Sequence, residues 1–95
     1  MNSDFLLLKT PSDISIDIAT KVKSKRKVSK MTQAELAKRS GVSLGSLKRF
    51  EQTGEISLCS LLKIAWILDC LGDFETLFSK QEYESIEEAI NGKTR

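Results

Sequence analysis

The chain has no histidine, one proline, one tryptophan, one tyrosine and two cysteines in 95 residues. Without histidine, a zinc site would need carboxylates or a second subunit, and general acid–base catalysis loses its commonest group. Cys59 and Cys70 lie eleven residues apart in one apolar stretch. That is about 16 Å along a helix, too far for a disulfide within it. Both read as reduced, small apolar residues of a cytoplasmic protein. Phe5-Leu6-Leu7-Leu8 has no basic run before it and is too short for a signal peptide, and nothing approaches a membrane span. There is no glycine-rich phosphate loop and no cysteine beside a plausible base, so the reading is no enzyme, no cofactor and no metal.

What is present is a segregated charge. The net +2 conceals ten Lys or Arg against Glu35 alone between residues 20 and 50, followed by four basic and nine acidic groups from 51 to 95. A basic body beside an acidic remainder is the electrostatic footprint of a nucleic-acid face with a separate opposite surface.

The basic stretch contains the most informative run, T-Q-A-E-L-A-K-R-S-G-V-S-L-G-S-L-K-R-F-E, residues 32–51. Thr32 and Glu35 have the spacing of a capping box, and Ala34, Leu36 and Ala37 give the helix that follows an apolar side. Gly41 stands where the chain must reverse, and Ser43 caps a second helix anchored by Val42, Leu47 and Phe50. Helices this short are stable only when packed. Small Ala37, Gly41 and Leu47 are spaced as in a helix-turn-helix, although a plain helical hairpin shares the pattern.

The remaining pattern is helical. Thr10-Pro11-Ser12 opens a first helix whose expected buried face is Ile14, Ile18 and Val22. Its acidic start and basic end suit the helix dipole. Gly54 stops the helix-turn-helix and Ser57 caps a helix with Leu58, Leu61, Leu62, Ile64, Ala65, Leu68 and Leu71 on a wide apolar face. Trp66 extends that face further than one core requires, leaving two readings: a second copy, or cover by the C-terminal tail. Gly72-Asp73 is expected to break the helix, with Asp73 capping a turn that carries Phe74, Leu77 and Phe78. A last short helix is expected after Ser85. The domain reading is an arm over 1–10, a DNA-binding body over 11–79 and a tail over 80–95. The apolar arm fits either a strand exchanged across a dimer or a segment lying on the bundle.

This order of elements resembles the phage-repressor-like (Cro/C1, or XRE) family of helix-turn-helix regulators over about residues 12–71. The run G-V-S-L-G-S-L-K-R-F-E-Q-T-G-E-I-S-L and the D-F-E-T-L-F turn look more narrowly like the HipB-type antitoxins. The resemblance implies an all-α, five-helix lambda-repressor-like bundle with a short N-terminal arm and a short C-terminal helix. It implies a homodimeric repressor on double-stranded DNA with an inverted-repeat operator, and an antitoxin partnered by a HipA-like kinase toxin. Rival readings are a stand-alone regulator, or an interaction module that keeps the fold without acting on DNA.

Residue roles follow by position from the resemblance. Gln33 takes the place of a phosphate-contacting glutamine. Ser43, Leu44, Gly45 and Ser46 are the first exposed positions of the recognition helix, with Lys48 and Arg49 one turn on. Arg49 is the best candidate for a bidentate contact to guanine O6 and N7. Leu44 could touch a thymine methyl, and Gly45 has no side chain to read with, which gives DNA shape more weight. Lys38 and Arg39 are expected to flank the backbone, with Lys25, Arg26 and Lys27 adding general attraction.

Overall fold

The computed structural model describes residues 8–80, which form four α-helices and one short 3-10 helix with no strand among them. Helix α1 is Pro11–Val28, α2 Gln33–Ser40, α3 Leu44–Thr53 and α4 Leu58–Ile67; the 3-10 helix is Leu71–Phe74. The all-α expectation holds. The count of five helices is not matched among the described residues, where the fifth segment is a single 3-10 turn. Residues 1–7 of the arm and the helix expected after Ser85 lie outside the described residues; Leu8 to Thr10, the end of the arm, are exposed ahead of α1.

The helix starts are set by side chains. Thr10 and Asp13 form a capping box on α1, as Thr32 and Glu35 do on α2; in the latter the Thr32 N–H donates to Glu35 at 2.8 Å and the Glu35 N–H to Thr32 at 3.0 Å. Ser43 and Ser57 each accept the N–H three residues on. These bonds satisfy donors that a helix start leaves unpaired.

The ends differ more from expectation. Gly41 and Gly54 close α2 and α3 in the left-handed region, at φ 77° and 82°. Helices α1 and α4 end in the same way without glycine. Lys30 (φ 60°) donates to the Lys27 carbonyl and Met31 to that of Arg26; Asp69 (φ 59°) donates to Trp66 and Cys70 to Ala65. Both are Schellman motifs. The break after α4 therefore falls at Asp69, ahead of Gly72-Asp73. Asp73 sits inside the 3-10 turn, whose start has no side-chain cap.

The core draws on every α-helix: Ala19 and Val22 from α1, Leu36 and Ala37 from α2, Val42 from the turn, Leu47 and Phe50 from α3, and Leu61, Ile64 and Leu68 from α4 and its end. Phe50, Leu36, Leu47 and Ile64 are fully enclosed. The face of α1 is rotated from the expected one. Ala19, Val22 and Arg26 are buried, Ile18 packs at the edge, and Ile14 is exposed. The cause is at Gly54, where a β-carbon would lie 2.8 Å from the Ser15 carbonyl carbon. The α3 end thus lies directly on α1 at Ser15, and the wedge of contact follows the small residues Ser15 and Ala19. Leu58 and Leu71 are also exposed, so the apolar face of α4 is narrower than its composition suggests.

Candidate nucleic-acid interface

Helix α3 is held by its inner side and open on its outer one. With Leu47 and Phe50 buried, a rotation of about 100° per residue puts Gly45, Lys48, Arg49 and Gln52 on the opposite side. All four are exposed. Ser46 is also exposed, but it faces the cap: the Ser43 hydroxyl accepts the Ser46 N–H at 3.1 Å and donates to the Ser46 hydroxyl at 2.9 Å. Ser43 and Ser46 are therefore first a structural pair at the mouth of the helix. Leu44 is partly exposed beside them. Gln52, four residues after Lys48 and seven after Gly45, belongs to the outer stripe and was not among the expected contacts. Helical periodicity, counted from Leu47 and Phe50, is the signal that identifies it.

Behind the stripe lies a buried polar knot. Arg26 donates from Nε to Glu51 Oε2 at 2.7 Å, from Nη2 to Glu51 Oε1 at 3.0 Å and from Nη1 to the Met31 carbonyl at 2.9 Å. Gln33 Nε2 donates to the same Glu51 Oε1 at 2.8 Å. The Arg26 and Glu51 side chains are only 9% and 2% exposed. Burial alone would push the Glu51 carboxyl up, but the hydrogen bonds from Arg26 and Gln33 and the Arg26 charge outweigh it and hold the carboxyl below its ordinary range. Arg26 is thus an internal strut joining the end of α1, the start of α2 and the last turn of α3. It is not part of a general basic surface.

This knot fixes Gln33. Its amide nitrogen is engaged with α3, while as first residue of α2 it has a backbone N–H that the Thr32–Glu35 box leaves unused. An anion approaching α2 would meet that N–H and the positive end of the helix dipole. Lys38 and Arg39 are exposed in the last turn of α2, where the dipole favours them with or without DNA. Lys48 is in no ion pair among the described residues, whereas Arg49 is paired with Glu55, its Nε at 3.1 Å from Oε1. Glu55, like Gln52, was absent from the expected site.

Residues 21–79, more than half of the chain, match the model of the Cro/C1-type HTH DNA-binding domain. The chain belongs to this Cro/C1-type family. Searches of curated proteins and of solved structures each return no match. The match begins within α1 and runs past the 3-10 turn, so it covers the whole α2–turn–α3 unit and the helix that backs it. Within the matched residues, α2, the turn at Gly41 and α3 have the arrangement of a helix-turn-helix. Among the described residues no helix is long and apolar enough to cross a membrane, and no group of three or more metal-ligating side chains occurs.

Proposed function

We propose that this chain is a sequence-specific transcriptional repressor that binds duplex DNA as a homodimer. The outer stripe of α3 carries the reading: four exposed positions, two of them basic, on a helix whose other side is locked into the core. Its rise over Gly45 to Gln52 is about 10 Å, enough to follow a few base edges in a major groove. Lys48, Arg49 and Gln52 are the proposed base-edge contacts. The free N–H groups at the starts of α2 and α3, with Gln33, Leu44 and Gly45, lie against phosphate and sugar. Lys38 and Arg39 add attraction to the backbone.

One short recognition helix gives little affinity, so two copies set about 34 Å apart on an inverted repeat complete the binder. Exposed Trp66 (70%), Leu58 and Leu77 offer apolar surface for self-association. The likeness of Gly41–Leu58 to HipB-type antitoxins supports a further step, in which the chain represses its own operon and binds a HipA-like kinase toxin. Leu44 and Gly45, which read no donor–acceptor pattern, favour a second reading as an interaction module without DNA.

An anisotropy titration against the DNA upstream of the chain's own coding sequence, with an unrelated duplex of equal length, tests the proposal. Tight binding to the first and much weaker, salt-sensitive binding to the second is expected. No binding to either duplex at low salt would leave the interaction module as the reading.

A further inference from the structure

Arg49 is the outer-stripe residue best suited to guanine, yet it is already bonded to an acid. Both Nε and Nη2 of its guanidinium donate to a single oxygen, Glu55 Oε1. These two nitrogens form one edge of the planar group. The adjacent edge, Nη1 with the second hydrogen of Nη2, has no partner among the described residues. That free edge presents two parallel N–H bonds that match guanine O6 and N7.

The Glu55 side chain is 64% exposed, but its backbone is anchored. Gly54 before it is buried against the α1 backbone at Ser15 and Ile16, and Ile56 after it packs on the core. Thr53 ties the turn to the helix, its hydroxyl donating to the Arg49 carbonyl at 2.7 Å and accepting the Glu55 N–H at 3.2 Å. The Glu55 backbone therefore stands at a set place relative to the Arg49 backbone, within reach of its guanidinium. A long, flexible side chain held along one edge loses less freedom when its other edge binds.

We infer that Glu55 is a positioning residue for base recognition: it grips Arg49 by the Nε–Nη2 edge and presents the Nη1–Nη2 edge to guanine. The inference rests on the reading of α3 as the groove helix. Glu55 also cancels the charge of Arg49, so the pair adds little to attraction for DNA of any sequence. Selectivity is gained twice, by aiming the guanidinium and by lowering its value on wrong sequences.

The test is selection from a library of duplexes with a randomised core, followed by sequencing, for wild type, Arg49→Ala, Glu55→Ala and Glu55→Gln. Wild type is expected to enrich a motif with one guanine per half-site that Arg49→Ala no longer selects. Glu55→Ala should lose preference for that guanine by roughly tenfold. Glu55→Gln, which keeps an acceptor oxygen, should retain most of it. Both Glu55 variants should bind a mixed-sequence duplex lacking the motif more tightly, with a salt slope steeper by about one. Thermal unfolding of all variants should match wild type, since an exposed pair adds little stability. An unchanged guanine preference in Glu55→Ala overturns the inference and leaves the DNA reading intact. So does loss of equal size in Glu55→Ala and Glu55→Gln, which would make charge the cause. A motif unaffected by Arg49→Ala removes its premise. If wild type enriches no motif, both the inference and the proposed function fall.

Discussion

Arg26 and Glu51, twenty-five residues apart, are joined by a two-pronged ion pair, with Nε to Oε2 at 2.7 Å and Nη2 to Oε1 at 3.0 Å. The pair ties the last turn of α3 to the end of α1, because Glu51 lies on α3 between the core residue Phe50 and the outer-stripe residue Gln52. Gln33 and the Met31 carbonyl complete it, so the first turn of α2 is bound to the same carboxylate and guanidinium. Both elements proposed to meet DNA are thereby set by one buried group.

Removing one member leaves the other charged and buried. Arg26→Met is expected to lower stability by about 3–5 kcal/mol, measured by urea unfolding. Replacing Arg26 and Glu51 together by apolar residues of similar size should recover most of that loss. A single variant with near-native stability would show that the knot is not a strut.

The same carboxylate makes stability depend on pH. Its folded pKa lies below its ordinary value of 4.5, so its contribution is fully present above that value and is lost as pH falls through the folded one. Asp13, held low by the Thr10 backbone and hydroxyl hydrogen bonds, acts with the same sign. Wild type should therefore lose stability below about pH 4.5. In Arg26→Met the Glu51 carboxyl has lost its main partner, burial dominates, and stability should rise as pH falls from 7 towards 4. Urea midpoints across this range check both slopes.

Two glycines with similar backbone angles should respond differently to alanine. At Gly41 a β-carbon meets nothing within 4 Å, so Gly41→Ala carries only the left-handed penalty of about 1 kcal/mol. At Gly54 it would stand 2.8 Å from the Ser15 backbone, and Gly54→Ala should cost about 2–4 kcal/mol by adding displacement of α1 to that penalty. Thermal unfolding of the two variants gives the comparison.

Gly45 is not needed by the fold. It lies in the first turn of α3 with open space around it and no positive φ. Gly45→Ala should raise stability by about 0.5–1 kcal/mol through backbone entropy alone. If the helix mouth approaches the DNA backbone closely, the added methyl weakens binding to the operator in anisotropy. A gain in stability with no loss of binding would place Gly45 away from the DNA.

Much of this was readable in the sequence because it is local. The capping box at Thr32–Glu35, the Ser43 and Ser57 caps, the Gly41 and Gly54 stops and the burial of Leu47 and Phe50 depend on residues three to four apart. The unread parts are contacts between distant segments. Nothing in K-S-K-R-K marks Arg26 as the buried one, since its partner Glu51 lies on another helix. Nor does local pattern show that Gly54 rests on Ser15, which turns α1 and leaves Ile14 in water. At Lys30 and Asp69 the ends of α1 and α4 use left-handed residues with side chains, where glycine is the usual sign. The candidate site was legible as a run, residues 43–49. Gln52 on its outward face was within reach of the helical period counted from Leu47 and Phe50, whereas the Arg49–Glu55 pair required the turn beyond the helix.

The most direct measurement of the central claim, that the outer stripe of α3 binds DNA, is a salt series of anisotropy titrations on the upstream duplex with wild type and Lys48→Glu. Lys48 is exposed, lies at the centre of the stripe and supports no core contact, so the variant should unfold like wild type. Affinity is expected to fall at least about tenfold, with a salt slope shallower by one to two. Unchanged affinity and slope in a folded Lys48→Glu protein would contradict the account, because the face that α3 turns outward would then not be the one that meets DNA.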